Sequence, residues 1–521
     1  MADRGKGVGR TEDGKVVFVA GVAPGDVVDL VAKRKKKIYE GKVQQFHSYS
    51  TERVKPVCSH FGLCGGCKLQ HIQYAKQLEF KQLEVENALK RIGKVEVGEI
   101  LPIIGADKQT YYRNKLEFSF SAKRWLTNEE INTDISNRVN VLGFHPLGSY
   151  DKVIDLNHCH LQYEPSNEIR NTVREIAKEH NLSFYDAYAQ VGFMRQLMVR
   201  ITSLGEIMLI VSVLNKDTKK LFPLLDEMVK RLPAITSLYY CINDKKNDYM
   251  YDLDMEHYHG TKEVEDVLGA IRFKIGPKSF FQTNTEQAVA LYQTIVDFAD
   301  FKGTENVYDL YTGIGSIALF IAKYCQQVVG IEEIEAAIED AKKNAALNKI
   351  DNTIFYAGDV KNILTDAFAK KHGKPDILIT DPPRAGMHPK VVKMLLTLEV
   401  PTLIYVSCKP STQARDLEIL SEKYEVVKTR AVDMFPHTPH IENIALLKLK
   451  SQDQSQGDNI QNLRSRSGEE SQDQSQGDNI QNLRSRSGEE SQEQSQGDDI
   501  PNLRNRSGEE SQEQSQRDDI L

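Results

Sequence analysis

The chain has 521 residues, 40 % of them hydrophobic, so it is long enough for several domains with buried cores. No apolar run approaches the ~20 residues that cross a bilayer, and the N-terminus is polar and glycine-rich, so we expect no membrane span and no signal peptide and place the protein in the cytoplasm. The net charge of −7 does not indicate an acidic body, because residues 451–521 alone carry −9.

The N-terminal region predicts a small β-barrel. Short strands are predicted at 16–20, 27–31 and 38–43, and glycine and proline turns separate them. Residues 1–42 also carry ten Lys or Arg against six acidic residues, with the run KRKKK at 33–37 in the centre. This basic patch on a near-neutral body indicates contact with nucleic acid, although a solvated, lysine-rich strand end has the same composition.

The region 54–270 mixes a helical pattern at 74–91 with strand-like stretches such as 116–120. It also contains a cluster of cysteines, in the spacing C-x5-C-x2-C, that a fourth cysteine further along the chain can complete: Cys58, Cys64, Cys67 and Cys159. In a reducing compartment this pattern indicates a metal or cluster site. The spacing does not distinguish zinc from an iron-sulfur cluster, because four thiolates suit either.

From residue 271 onward, strands alternate with helices, which predicts a parallel sheet covered on both faces. Strands are predicted at 306–310, 327–331, 353–356, 376–380 and 403–406, and two more, at 425–431 and 443–449, would complete the sheet. Helical patterns lie between them, for example at 317–322, 336–348 and 388–396.

The C-terminal tail repeats a twenty-residue unit, at 451–470, 471–490 and 491–510. Each unit has one Ile and one Leu, too little apolar surface to offset the entropy lost on ordering. We therefore predict that residues 451–521 are disordered and carry no chemistry.

The sequence DLYTGIGS at 309–316 lies where a predicted strand turns into a helix. Glycines there let the backbone approach a nucleotide-like ligand, and Gly313 and Gly315 also fit the dinucleotide fingerprint, with Glu332 placed to hold ribose hydroxyls. By itself this pattern fits an ordinary glycine turn or a nicotinamide enzyme as well.

The later strands separate these possibilities, because open α/β sheets bind ligands at the carboxyl ends of their strands. Polar or reactive side chains follow five predicted strands: Tyr311, Glu332, Asp359, Asp381 and Cys408. In DPPR at 381–384, two prolines form a stiff backbone that would hold Asp381 at the pocket, although an ordinary turn can have the same sequence. We therefore expect one crevice at this edge of the sheet.

Cys408 lies in SCKPST at 407–412, on the turn after an apolar strand. A lone cysteine is often a buried structural thiol, but Lys409 and the start of the next helix would both favour the thiolate. Carbon 5 of uracil is a poor nucleophile, and addition of a thiolate to carbon 6 would supply the electron density that its methylation needs. A base must then remove the proton on carbon 5. Glu442, in PHIEN at 439–443, is the candidate, although an isolated glutamate is more often solvated surface.

These motifs resemble those of the RNA 5-methyluridine methyltransferase family, in particular its iron-sulfur-containing ribosomal branch, the RumA/RlmD type. The resemblance covers residues 1–450. It implies a TRAM (OB-like) β-barrel at 1–53, an α+β central domain at 54–270 and a Rossmann-like α/β methyltransferase domain at 271–450. It also implies methylation of carbon 5 of a uridine in 23S ribosomal RNA, with S-adenosyl-L-methionine as cofactor, and we expect the protein to be a monomer.

The resemblance also implies roles for single residues. Cys408 would be the nucleophile and Glu442 the general base. FFQTN at 280–284 would supply Phe280 for stacking on the target base and Gln282 for the cofactor. By the same matching, Tyr311, Glu332 and Asp381 would bind the cofactor or line the target base. Gly313 and Asp359, from the pattern of the crevice itself, are further candidates for cofactor binding.

For the cysteine site, the resemblance implies a 4Fe-4S cluster held by Cys58, Cys64, Cys67 and Cys159, with zinc as the alternative. Two features depart from the family pattern. Thr312 stands where many members have Cys, and the repeated tail has no counterpart.

Three other functions stay open at this point. The first is a transfer-RNA uridine methyltransferase of the same chemistry, although those relatives generally lack the cysteine cluster. The second is a non-catalytic iron-sulfur RNA-binding protein, which would not need Cys408. The third is an amino-directed methyltransferase that uses DPPR at 381–384 and needs neither Cys408 nor Glu442.

Overall fold

The computed structural model describes residues 1, 5–11, 13–35 and 38–451. Residues 1–448 belong to one compact unit. Lys36 and Lys37 of the basic run, and the tail predicted to be disordered from residue 452 onward, lie outside the described residues. Within the described part of the chain, every helix is too short or too polar to cross a membrane.

The N-terminal region forms a four-stranded sheet. Its strands are β1 (Gly7–Arg10), β2 (Val16–Val19), β3 (Val27–Lys35) and β4 (Ile38–Ser48), in the order β1-β2-β4-β3. Val17, Val19 and Val22 form its small core, because alternate residues of a strand point to one face. The three predicted strands are confirmed and β1 is added, whereas the TRAM type of the sheet stays a prediction.

One helix and one strand follow this sheet. Helix α1 spans Tyr74–Ala88 and continues into a π-helical turn at Leu89–Gly93, close to the predicted helix at 74–91. Strand β5 spans Val97–Ile104. Both elements pack against the last sheet of the chain, as shown below.

The central region is built on a seven-stranded mixed sheet with helices packed on one face. In chain order its elements are β6 (Lys115–Ser121), α2 (Asn128–Ile131), β7 (Val141–Phe144), β8 (Ile154–Asp155), α3 (Ser166–Glu179), β9 (Met194–Ile201), β10 (Ile207–Val213), α4 (Thr218–Arg231), β11 (Ile235–Ile242) and β12 (Glu256–Gly260). The strand order is β12-β11-β10-β9-β6-β7-β8. Apolar residues of α3 and α4, such as Val173 and Leu225, share a core with β9 and β10. The predicted strand at 116–120 is confirmed as β6.

A short hairpin and a helix connect this sheet to the next. Strands β13 (Val264–Leu268) and β14 (Ile271–Ile275) pair antiparallel, and helix α5 spans Thr285–Ala299.

The last region is an eight-stranded sheet with helices between its strands. In chain order its elements are β15 (Asn306–Leu310), α6 (Ser316–Ile321), β16 (Gln327–Glu332), α7 (Glu335–Leu347), β17 (Thr353–Ala357), α8 (Val360–Ile363), α9 (Asp366–His372), β18 (Ile377–Thr380), α10 (Pro389–Leu398), β19 (Thr402–Ser407), α11 (Pro410–Leu420), β20 (Tyr424–Val432) and β21 (Glu442–Leu449). The strand order is β17-β16-β15-β18-β19-β21-β20-β5.

Strands β15 to β19 are parallel to one another, and their middle residues are buried, because helices cover the sheet. The predicted α/β sheet is therefore confirmed, and each of its seven predicted strands agrees with the observed one within one residue at each end. Strand β21 inserts between β19 and β20, antiparallel to β19.

Strand β5 closes the edge of this sheet by pairing parallel to β20, and α1 packs against β5 and α11. The sequence did not predict this pairing, because β5 lies far along the chain from β20 and within the range 54–270 that was predicted as the central domain. The predicted domain boundaries stay predictions.

Candidate active site

The parallel strands place the five predicted residues at one edge of the sheet. Tyr311, Glu332, Asp359, Asp381 and Cys408 lie at or within two residues of the carboxyl ends of β15, β16, β17, β18 and β19. Neighbouring strand ends are in register, since Leu310 pairs with both Ile331 and Thr380. The edge is therefore the ligand-binding edge that open α/β sheets use.

The turn after β15 has a backbone that reverses sharply. Tyr311, Gly313 and Gly315 all have positive φ, at 64°, 55° and 81°. The N–H groups of Tyr311 and Thr312 both donate to the carbonyl of Ile331, at 2.9 and 3.1 Å, which fixes the turn over β16. A turn of this shape needs glycine at positions where a side chain would be strained.

The two glycines of this turn have different surroundings. A Cβ on Gly315 would lie 3.2 Å from both Ala341 and Phe355, so this residue must be small where α6 begins. A Cβ on Gly313 would meet no atom within 4 Å, so the backbone there faces open space. Gly313 is thus the position at which a ligand can approach the main chain.

Glu332 is oriented by the main chain. Its Oε2 accepts from the N–H of Gly313 and its Oε1 from the N–H of Ile334, both at 3.1 Å. The carboxylate is therefore held at the strand end beside the open turn, where a ribose hydroxyl can donate to it.

Asp359 has a local structural role. It is the N-cap of α8, where its carboxylate accepts from the N–H of Lys361 at 3.0 Å and lies 2.5 Å from the Lys361 ammonium. These contacts hold the pKa of Asp359 below its usual value, with the Lys361 side-chain hydrogen bond as the largest cause. Helix capping thus accounts for Asp359, and its cofactor role stays a prediction.

Asp309 and Thr312 form a buried pair that the sequence reading missed. The hydroxyl of Thr312 donates to Asp309 Oδ2, and within the described structure Asp309 Oδ1 has no hydrogen-bond partner. Burial raises the pKa of Asp309 to about 7. Thr312 therefore donates a buried hydrogen bond at the position where many members of the family that this sequence resembles have Cys.

Cys408 and Glu442 are brought together by strand register. In the antiparallel pair of β19 and β21, Ser407 lies opposite Asn443. The next residue outward is Cys408 after the end of β19 and Glu442 at the start of β21, so the two residues lie at neighbouring strand ends. Cys408 is half-buried, and it lies just before α11.

A network of buried amides locks this register. The side-chain NH₂ of Gln413 donates to the carbonyls of Tyr405 and Asn443, at 2.8 and 3.1 Å. Asn443 donates back to Gln413 Oε1 at 2.7 Å and accepts from Thr429 at 2.9 Å. Because buried polar groups are costly when unpaired, these bonds specify one alignment of β19, β21 and α11. Gln413 and Asn443 were missed, since their roles depend on contacts between distant segments.

Two carboxyl groups share the site. Glu442 is only 6 % exposed, and burial, followed by repulsion from Asp381, raises its pKa well above the usual value while Arg384 opposes the shift. Burial also raises the pKa of Asp381 to about 7. Once ionised, a carboxylate with a raised pKa is a stronger base than an exposed one, as proton abstraction requires. Arg384 is held nearby, with Nη2 3.1 Å from His440 Nδ1.

Tyr292 of α5 is a further residue that the sequence reading missed. It is buried, and its hydroxyl lies 2.9 Å from Ser316 Oγ at the start of α6. Burial raises its pKa, and Asp381, Asp309 and Glu442 raise it further, which places this phenol among the carboxyl groups of the site. No sequence motif marks it, because tyrosine in a helix usually packs in the core.

The segment FFQTN presents one ring to solvent on a fixed backbone. Phe280 is 68 % exposed, whereas Phe281 is 1 % exposed and packs against Phe273. Asn284 caps α5 through the N–H of Gln287 and donates to the carbonyl of Met434 at 2.9 Å. An exposed aromatic ring on a rigid segment can serve as a stacking platform for a base.

The predicted cofactor residue Gln282 lies in the same segment and is buried. Its carbonyl accepts from Asn114 Nδ2 at 2.9 Å, and the N–H of Asn114 donates to the carbonyl of Thr283 at 2.7 Å. These bonds tie the segment to the central region. They leave the cofactor role of Gln282 a prediction.

The four predicted cysteine ligands line a single cavity. They come from three loop positions before α1 and one after β8: Cys58, Cys64, Cys67 and Cys159. All four are free thiols, and His60, His158 and His160 line the same cavity. Within the described ranges, however, no set of three or more His, Cys, Asp or Glu side chains converges as a ready metal site.

The sulfurs nevertheless receive hydrogen bonds. The N–H of His60 points at Cys58 Sγ at 3.4 Å, and the N–H of Gly66 points at Cys64 Sγ at 3.5 Å. Burial raises the pKa of the Cys64 thiol to about 12 and that of Cys159 to about 11. A bound metal offsets such a shift, because a coordinated thiol loses its proton. Four thiols in one cavity, with N–H donors directed at sulfur, suit a thiolate-ligated group.

The fold and the ligand-binding edge of the sheet fit an α/β methyltransferase. Comparison with known proteins shows which family of methyltransferases the chain belongs to. A family described as tRNA (Uracil-5-)-methyltransferase matches residues 248–450. An uncharacterized RNA methyltransferase of Bacteroides thetaiotaomicron is 50 % identical over 86 % of this chain and all of its own length, and one of Porphyromonas gingivalis is 48 % identical over 86 % of this chain and 98 % of its own. The chain therefore belongs to the RNA (uracil-5-)-methyltransferase family.

A solved structure agrees with this assignment. The chain is similar to Pyrococcus abyssi tRNA (uracil-54, C5)-methyltransferase in complex with S-adenosyl-L-homocysteine, with a TM-score of 0.66 and 29 % identity over 85 % of this chain and all of that one. The likeness to a methyltransferase that binds the demethylated cofactor supports S-adenosylmethionine as the cofactor of this protein.

Proposed function

We propose that the protein methylates carbon 5 of a uridine in 23S ribosomal RNA through a covalent bond between Cys408 and carbon 6 of the base. The observation that carries this proposal is the register of β19 and β21, in which Ser407 pairs with Asn443 and the adjoining residues are Cys408 and Glu442, at the ligand-binding edge of the sheet. A thiol and a base on opposite strands fit a reaction in which one adds to the ring and the other removes its proton.

S-Adenosylmethionine supplies an activated methyl group when it is bound. The open backbone at Gly313 and the fixed carboxylate of Glu332 suit its adenosine part. We also assign contacts with the cofactor to Tyr311, Asp381 and Gln282. Asp359, whose carboxylate caps α8, is a further candidate for such a contact.

The residues of the chain account for each proton and electron pair. The Cys408 thiolate adds to carbon 6, and the electrons of the ring double bond shift so that carbon 5 becomes nucleophilic. After carbon 5 has gained its methyl group, Glu442 takes the proton from that carbon. The electrons of the broken C–H bond re-form the double bond, and the thiolate leaves carbon 6.

The RNA would reach this site with the target base turned out of its stack, since the reacting atoms are inaccessible inside a helix. Phe280 would stack on the flipped base or a neighbour. The N-terminal sheet would contact phosphates through the basic end of β3. Neutralising Lys33, Arg34 and Lys35 should weaken RNA binding and flatten its salt dependence, and a salt slope equal to that of the wild type would contradict this role.

For the cysteine site we propose a 4Fe-4S cluster rather than zinc. The four thiols share one cavity and would suit either group, and the resemblance of the sequence to the iron-sulfur-containing branch of the family favours the cluster. Protein purified without oxygen should contain about four iron atoms per chain, the number in a 4Fe-4S cluster. It should also absorb visible light. One zinc and no iron would support the alternative.

The function is tested by trapping. Incubation with S-adenosylmethionine and ribosomal RNA that contains 5-fluorouridine should give a protein–RNA adduct stable to denaturation, because fluorine cannot be abstracted as a proton. Cys408→Ala should give none. If the wild type forms no adduct, the covalent mechanism is wrong.

The substrate is tested separately. Ribosomal and transfer RNA from a deletion strain are digested and analysed for 5-methyluridine. Loss from 23S RNA alone supports the proposal, and loss from transfer RNA alone would replace the substrate but keep the chemistry.

A further inference from the structure

The segment that leads to Glu442 is irregular but buried. It covers residues 433–441, between β20 and β21, and Asp433, Met434 and Ile441 are each at most 2 % exposed. No regular secondary structure fixes the path of these residues, so their position depends on side chains from elsewhere. We call residues 433–441 the base loop.

A buried ion pair fixes the start of the base loop. Lys81 on α1 lies with Nζ 2.6 Å from Asp433 Oδ1, and the two side chains are 2 % and 0 % exposed. Lys81 also donates to the carbonyl of Phe435 at 3.2 Å, and the N–H of Phe435 donates to Asp433 Oδ1 at 3.1 Å. Tyr74, two helical turns before Lys81 on the same face of α1, donates to Asp433 Oδ2 at 2.9 Å.

A second side chain of α1 fixes the middle of the base loop. Gln77 accepts from the N–H of His437 at 3.0 Å and lies 3.2 Å from His437 Nδ1 through its NH₂ group. The carbonyl of His437 accepts from the N–H groups of Lys68 and Leu69, both at 2.9 Å. Both hydrogen-bonding groups of the His437 main chain are thereby satisfied.

The end of the base loop approaches the reacting groups. His440, two residues before Glu442, lies 3.1 Å from Arg384, which also acts electrostatically on Glu442. Tyr112 donates to the carbonyl of Pro436 at 2.9 Å. Side chains from outside the base loop therefore contact it along most of its length, up to His440, two residues before Glu442.

A buried lysine and aspartate contribute little stability beyond what apolar residues of the same size would give, because each charge is costly to desolvate. Such a pair is useful where one conformation must be specified, and this pair makes four hydrogen bonds that only one path of the loop allows. Tyr74, Gln77 and Lys81 share one side of α1, at spacings of three and four residues that place side chains on one face.

We propose that Lys81 and Asp433 are positioning residues for the proton-abstraction step, holding the base loop so that Glu442 reaches the hydrogen on carbon 5. This inference rests on the proposed function. In the step, the C–H bond at carbon 5 breaks, the proton goes to Glu442, the electron pair forms the C5–C6 double bond, and the Cys408 sulfur leaves. Cys408 lies between the end of β19 and the start of α11, outside the base loop, so we expect its addition to carbon 6 not to depend on the ion pair.

The test compares formation of the adduct with its release. For Lys81→Met, we expect trapping on 5-fluorouridine RNA at the wild-type level, whereas turnover on ordinary RNA falls ~10 to 100-fold, as small displacements of a reacting group do. We also expect a methylated, denaturation-stable adduct to accumulate on ordinary uridine RNA, which the wild type releases. Asp433→Asn, which keeps the shape and some hydrogen bonds, should show the same pattern more weakly.

Lys76→Met is the matched control, because Lys76 lies on the same helix but pairs only at the surface with Glu79 and Glu52. It should release the adduct like the wild type. A merely structural role for Lys81 predicts that trapping and turnover fall by the same factor with no accumulated adduct, and that result, or unchanged turnover, overturns the proposal. If Lys81→Met fails to fold, the milder Asp433→Asn decides by the same criteria. Failure of the proposed function is separate, since the wild type would then trap no 5-fluorouridine RNA.

Discussion

The carboxyl edge of the eight-stranded sheet and the cysteine site bring distant residues together by different means. At the sheet edge, Ser407 of β19 pairs with Asn443 of β21, which brings Cys408 and Glu442 to neighbouring strand ends. At the cysteine site, loops carry Cys58, Cys64, Cys67 and Cys159 to one cavity. The comparison teaches that strand register can align reacting groups from distant segments, whereas a loop-built site depends on how each loop packs.

Removal of the nucleophile should have the largest effect on the sheet edge. Cys408→Ala is expected to lower methylation by about 10⁴-fold or more and to abolish the 5-fluorouridine adduct, because no other group can add to carbon 6. Gel analysis of labelled RNA measures both. Cys325→Ala, at a buried cysteine that bonds only to its own helix, should keep both activities. An active Cys408→Ala enzyme would exclude covalent catalysis.

Removal of the base should distinguish the role of Glu442 from that of Cys408. Glu442→Gln is expected to slow turnover by ~10² to 10⁴-fold while Cys408 still adds to the ring, so a methylated adduct should accumulate on ordinary RNA. Denaturing gels and rapid quench measure this accumulation. Glu422→Gln, at an exposed glutamate in the turn after α11, serves as control. Equal loss of adduct and turnover in Glu442→Gln would assign Glu442 to folding rather than to proton transfer.

Truncation of the exposed ring should weaken RNA use without weakening the fold. Phe280→Ala is expected to raise the KM for RNA or lower kcat/KM by ~10 to 100-fold, since stacking on a base is worth about 1–3 kcal/mol. The melting temperature should not change, because the ring is 68 % exposed. Tyr188→Ala, at a ring that is 78 % exposed elsewhere, is the matched control. Equal effects of the two variants would remove the special role of Phe280.

The pH dependence should report the carboxyl pair at the sheet edge. Burial raises the pKa of Glu442 and moves that of Asp381 to about 7, so lowering the pH protonates the base. Single-turnover release of methylated RNA from the adduct should therefore fall up to ~10-fold per pH unit on the acid side, with an apparent pKa that belongs to the pair. Asp381→Asn should move this pKa downward, because a neutral neighbour no longer repels the charge on Glu442. A rate independent of pH from 6 to 8 would count against a carboxylate base.

Loss of a cysteine ligand should have the smallest effect on the chemistry itself. Cys58→Ser is expected to lower the iron content and the melting temperature, while the trapped fraction per folded molecule stays within about twofold of the wild type. Metal analysis, thermal unfolding and trapping measure these quantities on one preparation. If the trapped fraction falls in proportion to the iron content, the cysteine site and the carboxyl edge of the sheet are coupled rather than independent.

The sequence by itself determined the strands and helices of the last region, because hydrophobic runs of strand length alternate with helical periodicity from residue 306 to residue 449. It also determined which residues lie at the carboxyl edge, since those residues directly follow each strand. These are local properties, and a local pattern is enough to predict them.

Only the tertiary structure decided the contacts between segments that lie far apart in the chain. It placed β21 beside β19, which brings Cys408 and Glu442 to neighbouring strand ends, and it placed β5 beside β20. It paired Thr312 with Asp309, Gln413 with Asn443, and Lys81 with Asp433. Such polar residues have no periodicity to mark them. Their partners are chosen by burial, because a buried polar group without a hydrogen bond is costly and the fold alone determines which groups are buried together.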